Sequence, residues 1–357
     1  MLIIDAHLDL AWNALQWNRN LQQSVYTIRT QENNLTGPGR GQGTVALPEM
    51  RKGRIAICFA TLLARSTGRM EPHLDYSSPL QAYAAAQGQL VYYQALSESG
   101  EARIIKDTAE LDEHIAQWEK WESDVQNNQP PIGLIISMES ADPILKPEQL
   151  SAWKETGVRI IGLAHYGPGR YAGGTSTEIG LSTIGFALLH EMERRGITLD
   201  LTHLSDEAFW QALDHFGGCV IASHNNCRAL VPHQRQFDDT QIKAIIDRDG
   251  VIGAALDNWM LIPDWVRGGR DNQPATLEHV AHHIDHIYQL AGNAENAAIG
   301  SDLDGGFGRE QSPTDLDTIA DLQKFVEILT RRGYNTEDIS LIMHGNWLRL
   351  LHRAWVD

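Results

Sequence analysis

The stretch LSTIGFALLHEMERRGITLDLTHLSDEAFWQALDHFGGCVIASHNN (181–226) holds the fold in miniature. Residues 181–196 place apolar side chains at helical spacing and stop at Gly196, a good C-cap. ITLDLT (197–202) then reads as a short apolar strand. SDEAFWQALDHFGG (205–218) returns to helical spacing, with Ser205 as N-cap and a glycine pair as the stop. CVIAS (219–223) is the next strand. Each strand is followed at once by a histidine, His203 and His224.

The same alternation runs outward in both directions. Further strands are expected at LIID (2–5), RIAICFATLL (54–63), IGLIISM (132–138), VRIIGLA (158–164), VIGAAL (251–256) and AAIGS (297–301). Most are continuous apolar runs, the pattern of strands buried on both faces. TLEHVAHHIDHIYQLAG (276–292) is a further helix closing on Gly292, and the last helices are expected near 313–332 and 336–354. Eight strands, each followed by a helix, fit an α/β protein of the (β/α)8 TIM-barrel class better than an open sheet. We expect one domain over residues 1–357, with its chemistry where the strands end. NNLTGPGRGQG (33–43) reads as a loop inside the long first connection, not as a linker.

Composition narrows the function. Hydrophobic residues at 42% and charged residues at 21% are ordinary globular values. A net charge of −17 and the lack of any basic block argue against binding nucleic acid or an anionic membrane surface. Three cysteines (Cys58, Cys219, Cys227), with no C-x-x-C, argue against a disulfide framework or a thiolate zinc site. MLIIDAHLDL (1–10) lacks the features of a signal peptide, and no apolar run is long enough to span a membrane. A cytoplasmic location is the expectation.

The chemistry gathers at the strand ends. His7 and Asp9 follow the first strand as H-x-D, a spacing that points both side chains to one side. Glu139, His165, His203, His224 and Asp302 end the third, fourth, fifth, sixth and eighth strands. Singly, each has an ordinary reading: a carboxylate after a strand is commonly an N-cap, and a lone histidine a buried hydrogen-bonder. Four histidines and three acids at successive ends are hard to explain as caps. Imidazoles and carboxylates suit Zn²⁺ and similar ions. Three histidines, one Asp and one Glu are too many ligands for one open catalytic zinc; two ions sharing a bridging carboxylate use them well.

Other features read as structural. His279, His283 and His286 sit on an outer helix without an accompanying H-E-x-x-H glutamate. His344 and Asn346 read as packing or cap residues, and Asp304 as a group ordering the loop. His233 could line the pocket beside Arg235. Cys227 is not needed as a ligand, and Arg228 is expected to face outward.

Taken together, these segments resemble the membrane dipeptidase (renal dipeptidase, peptidase family M19) group of the metal-dependent amidohydrolase superfamily. The resemblance runs through DAHLDL (5–10), ALPEMRKGRI (46–55), residues 181–206, VIASHNNCRAL (220–230), AIGSDLDGG (298–306) and HGNWLRLL (344–351). It implies a zinc-dependent hydrolase of dipeptides with two Zn²⁺ per chain. His7 and Asp9 would bind one zinc, His203 and His224 the other, and Glu139 with a water or hydroxide would bridge them. It further implies that His165 steadies the oxyanion, Arg235 binds the substrate carboxylate, and Asp302 moves the proton from water to the leaving amine. Tolerance of a D-residue at the C-terminal position and a homodimer are implied as well. The chain departs from the family at Ser140, Ala141 and Asp142, at YGPGRYAGG (166–174) and at the Trp-rich DNWMLIPDWVRGG (257–269), all at the mouth where substrate is read. Two other readings stand beside this one. One is a binuclear amidohydrolase acting on an N-acyl amino acid or a lactam; the other is a non-catalytic ligand-binding barrel. A phosphoester hydrolase is weaker, since those usually bridge with a modified lysine where Glu139 stands.

Overall fold

The computed structural model describes residues 1–69, 71, 73–123, 129–270 and 272–355. Its strands are β1 (Ile3–Leu8), β2 (Ile55–Leu63), β3 (Ala102–Ile104), β4 (Ile132–Glu139), β5 (Val158–Gly162), β6 (Thr198–Asp200), β7 (Val220–Ala222), β8 (Val251–Ala254) and β9 (Ala297–Ile299). Eight of them follow one another in parallel as β1-β2-β4-β5-β6-β7-β8-β9, a (β/α)8 barrel. All eight lie within or against the apolar runs of the sequence. β3 stands off this path and pairs with the first residues of β4. Its three residues are too few to show a period in the sequence.

The apolar runs become strands because helices cover one face and the barrel interior covers the other. In β1, Ile3 belongs to the large cluster packed under the helices, while its neighbour Ile4 belongs to a smaller one with Ile57, Phe59, Ile135, Ile221 and Ala298. The last helix (Asn346–Ala354) closes that inner cluster. Trp347 lies edge-on to Phe59 at 5.1 Å and donates from Nε1 to the Ile299 carbonyl at 3.0 Å. One end of the barrel is therefore sealed by packing, and the other is left to polar side chains.

Between β9 and β1 a side chain bridges the seam. Buried Asp5 accepts from Ser301 N at 2.8 Å and His7 N at 3.2 Å, and Asp302 N donates to the His7 carbonyl at 3.3 Å. The contacts that join the first strand to the last thus also fix His7 and Asp302. Close approach sets the β7 end too: a Cβ on Gly300 would stand 1.7 Å from the Ser223 carbonyl oxygen, so only glycine lets the strands meet beneath His224.

Two helix expectations shift. Residues 313–318 are not helical; Pro313 and Thr314 belong to a loop, with Thr314 N bonded to the Ala275 carbonyl. Helical structure starts only after Thr318, which caps a short 3-10 turn (Ile319–Gln323) leading into Lys324–Arg331. The final helical run is interrupted by a π-turn at Leu341–Gly345. No described helix is long and apolar enough to cross a membrane.

One buried histidine away from the mouth gives the fold a pH dependence. His114 lies on the helix Thr108–Ser123 with Nε2 2.9 Å from the Ala56 carbonyl. Burial pushes its pKa down to about 4, from an ordinary 6.5. Above 6.5 both folded and unfolded chains leave it neutral. As pH falls from 6.5 to about 4 only the unfolded chain takes the proton, so stability declines by up to about 1.4 kcal/mol per pH unit from this group. His114→Gln keeps a donor for Ala56 and should show a shallower decline over that window in urea titrations. An identical slope would remove His114 from the account.

Candidate metal centre

Seven side chains named from the sequence come together at the open end of the barrel. Glu139, the last residue of β4, is central. Its Oε2 lies 3.7 Å from His7 Nε2, which is itself 3.8 Å from Asp9 Oδ2 and 3.9 Å from Asp302 Oδ1. Its Oε1 lies 3.1 Å from His203 Nε2, 3.3 Å from His224 Nε2 and 3.7 Å from His165 Nε2. One carboxylate thus presents its two oxygens to two separate imidazole groups. The donor atoms fall into three overlapping triads: His7, Asp9 and Glu139; Glu139, His203 and His224; His7, His224 and Asp302.

The backbone delivers these groups at a cost. His203 (φ 69°) and Asp302 (φ 56°) lie in the left-handed region, as does Ser140 (φ 79°) directly after Glu139. Such positions cost about 1–3 kcal/mol each for non-glycine residues and persist where surrounding structure enforces them.

The surroundings of His203 and His224 suit rings that could hold a metal ion. Thr175 Oγ1 lies 3.0 Å from His203 Nδ1 and donates its single proton to the His203 carbonyl at 3.2 Å. It must therefore accept from Nδ1–H, which leaves the His203 Nε2 lone pair free. That nitrogen faces His224 Nε2 at 3.1 Å, and His224 Nδ1 is 2.9 Å from Ser223 Oγ. Burial first, then Arg235 for His203 and His7 for His224, hold both rings neutral by pushing their pKa values well down.

Charge at the site is unbalanced. Burial raises Glu139 to about 8, with Asp9 and Asp302 adding to the rise. Burial and then Asp9 raise Asp302 to about 7. For His7, burial alone would lower the pKa, but Glu139, Asp9 and Asp302 outweigh it and carry it to about 10. The cluster draws a proton onto His7 to offset its own acids. His7 Nε2 and Asp9 Oδ1 are nonetheless buried without hydrogen-bond partners. Paired lone pairs, orphaned donor atoms and excess negative charge are what divalent cations would satisfy, so the residues fit a metal centre.

Above this floor lies a cavity of about 540 Å³ lined by Asp9, Glu139, His165, His203, Arg235 and Asp302 together with Trp12, Trp17 and Trp259. Arg235 is buried; its Nη1 donates to Asn225 Oδ1 at 2.6 Å and Nη2 to the His224 carbonyl at 2.8 Å. Arg228 does not simply face outward. It forks onto Asp206 at 2.7 and 3.0 Å and donates to the Gln236 carbonyl, holding the turn that presents Arg235. His233 sits behind that turn, accepting from Arg235 N and edge-on to Trp259, and does not line the cavity.

The remaining structural readings agree with the geometry. Asp304 Oδ1 accepts from Asp9 N at 2.8 Å and so orders the H-x-D segment. His283 Nδ1 accepts from Cys227 N, and His286 pairs with Asp239; neither lines the cavity. Asn346 ties the last helix to the Ala294 and Ala297 carbonyls.

Sequence reading passed over two cavity residues at strand ends. Asp257 follows β8, is buried, and accepts from Gln311 Nε2 at 2.8 and 2.9 Å. Arg65 follows β2 and lies with Nη1 2.8 Å from His165 Nδ1. Both stand where the barrel places functional groups; the search for histidines and acids missed Arg65, and the Trp-rich loop masked Asp257.

The sequence profile described as membrane dipeptidase (peptidase family M19) matches residues 1–355. The dipeptidase aclJ of Aspergillus oryzae is 25% identical over 356 residues, covering 98% of this chain and 77% of that protein. Two solved structures share the fold along 99% of both chains. One is the dipeptidase AC, a metallopeptidase of family M19 (TM-score 0.80, 23% identity); the other is a Rhodobacter sphaeroides metallopeptidase liganded with a phosphinate mimic of the dipeptide L-Ala-D-Ala (TM-score 0.77, 22% identity).

Because a ligand that binds only the folded chain stabilises it, zinc added to chelator-stripped protein should raise the melting temperature. In His203→Ala the rise should shrink, since a donor of the Glu139–His203–His224 triad is gone. Scanning fluorimetry with and without zinc checks this; equal shifts in both proteins would contradict it.

Proposed function

This chain belongs to the membrane dipeptidase family, peptidase family M19, and from that premise we propose how its own residues hydrolyse a dipeptide. His7 and Asp9 would hold one zinc ion and His203 and His224 a second, with Glu139 placed to serve both. The observation that carries this reading is the placement of the Glu139 oxygens, one toward His7 and the other toward His203 and His224. Zinc held there would polarise the scissile carbonyl and bring the pKa of an attacking water toward neutrality.

The surrounding side chains supply the rest. Two Arg235 nitrogens are tied to Asn225 and the His224 carbonyl, which fixes the fork while leaving other N–H groups for a substrate carboxylate. Asp302, raised to about 7 by burial, is suited to take a proton near neutral pH and return it to the leaving amine. His165 offers a hydrogen bond to the carbonyl oxygen as negative charge develops on it.

Asp257 favours a dipeptide over an N-acyl amino acid or a lactam. It is a buried carboxylate on the cavity wall whose hydrogen bonds come from neutral groups, Gln311 and Trp259 N. A protonated α-amino group supplies the missing positive charge; an acylated amine or a lactam nitrogen does not. Arg235 and Asp257 line the same cavity of about 540 Å³, which suits a small ligand bearing both a carboxylate and an ammonium group. Acceptance of a D-residue at the C-terminal position is part of this proposal, supported by the phosphinate mimic of L-Ala-D-Ala held by the Rhodobacter sphaeroides metallopeptidase of the same fold.

A panel of L-Ala-D-Ala, L-Ala-L-Ala and N-acetylalanine tests the substrate class. Dipeptide turnover is expected, with little deacylation; the reverse would favour the N-acyl reading. Asp302→Asn should retain zinc and lose at least roughly 100-fold in kcat; near-normal turnover would exclude it as the proton carrier. Arg235→Ala should raise KM for free dipeptides roughly 10- to 100-fold and leave C-terminally amidated ones unchanged. An equal effect on both would argue against a carboxylate contact.

A further inference from the structure

His165 and His203 share the same rim, 4.3 Å apart between ring centres, yet their surroundings impose opposite tautomers. Thr175 makes His203 carry its proton on Nδ1. At His165 the neighbour of Nδ1 is Arg65 Nη1, at 2.8 Å. A guanidinium has donors and no acceptor, and it stays charged. His165 Nδ1 must therefore offer its lone pair, because a proton there would set two N–H groups against each other. A neutral imidazole has one proton, and it is left on Nε2, the nitrogen 3.7 Å from Glu139 Oε1 on the cavity side.

We propose that Arg65 is a positioning residue that fixes His165 with its proton on Nε2, so that this ring meets the substrate carbonyl as a hydrogen-bond donor and is kept from becoming a further metal ligand. The inference rests on the reading of His165 given above and explains how one rim holds histidines of two kinds. With the proton on Nδ1 instead, Nε2 would be one more lone pair beside Glu139, and the substrate oxygen would lose its donor.

Arg65 is built to stay in place. It is 3% exposed, stands two residues after the end of β2, and pairs through its backbone with Leu74 and Tyr76. Its Nε lies 3.1 Å from Asp75 Oδ2, and its Nη2 donates to Glu71 Oε2 at 2.6 Å. Asp75 is buried in turn and accepts from Thr67 N at 2.9 Å and Thr67 Oγ1 at 2.5 Å. Nη1 and Nη2 thus each have a fixed partner, His165 and Glu71, and Asp75 pairs with the charge beside Nε, so rotation toward any other partner would break an ion pair.

The test combines kinetics on the zinc-loaded enzyme with ¹⁵N NMR of histidine-labelled protein, using L-Ala-D-Ala as substrate. Arg65→Met should lower kcat roughly 10- to 100-fold, less than the roughly 100- to 1,000-fold of losing an oxyanion donor outright because the ring itself remains, while KM stays within about threefold. Arg65→Lys keeps a donor and should recover part of the loss. In a His165→Ala background, Arg65→Met should add nothing, because it acts through the missing ring. In the wild type, the His165 Nδ1 resonance should be of the unprotonated, pyridine type, and Arg65→Met should shift it toward the protonated type. Full additivity of the two substitutions, a rise in KM in place of the fall in kcat, or a protonated Nδ1 in the wild type would each overturn the proposal. If Arg65→Met does not fold, Arg65→Lys and the wild-type spectrum still decide it. A wild type that turns over no dipeptide would defeat the reading of the reaction, while the spectrum would still report on the Arg65–His165 pair.

Discussion

A single buried carboxylate organises the open end of this barrel. Glu139 ends β4 with both oxygens occupied by imidazole neighbours on opposite sides, 3.7 Å to His7 and 3.1 Å to His203. Burial makes an isolated charge there costly, and the nearby Asp9 and Asp302 make it worse. The protein's own answer is to drive a proton onto His7. Cations held between these groups would answer the same imbalance better, and would release that proton. The strained backbone at His203 and Asp302, the seam made by Asp5 and the tight glycine contact beneath His224 all serve to bring charges together that would otherwise separate.

Around that centre the structure assigns different work to chemically similar side chains by choosing their neighbours. Thr175 turns His203 into a lone-pair donor, and Arg65 turns His165 into a proton donor. Arg235 is held by Asn225 and a backbone carbonyl, neither of which competes as a charge, so its own charge stays available to the cavity. Arg65, by contrast, is paired with Asp75 and Glu71 and turned onto the His165 ring. In the proposed reading the same residue type would be a carboxylate anchor in one place and a fixed orienting group in another.

Much of this was legible before the fold was seen. Continuous apolar runs such as RIAICFATLL (54–63) announce strands covered on both faces, and Gly196 and Gly292 end helices where left-handed backbone is needed. Once strands are placed, the residue after each is a candidate for the mouth, which is how His7, Glu139, His203 and Asp302 could be grouped. What stayed hidden depends on distant partners. β3 is three residues long and exists because β4 offers it an edge. Residues 313–318 look helical in pattern but are drawn into a loop beside Ala275. Arg65 carries no signal of its own, since its meaning comes from a ring a hundred positions later. Arg228 looks like a surface charge until Asp206 and the turn at Gln236 are seen beside it.

The central claim is that Glu139 lies between two metal ions. Diffraction data collected at the zinc absorption edge, from crystals of the protein loaded with zinc, address it directly. Two anomalous peaks are predicted on either side of the Glu139 carboxylate, one against His7 and Asp9 and one against His203 and His224. A map with no peak at that carboxylate, or with zinc bound only elsewhere on the chain, would contradict the account.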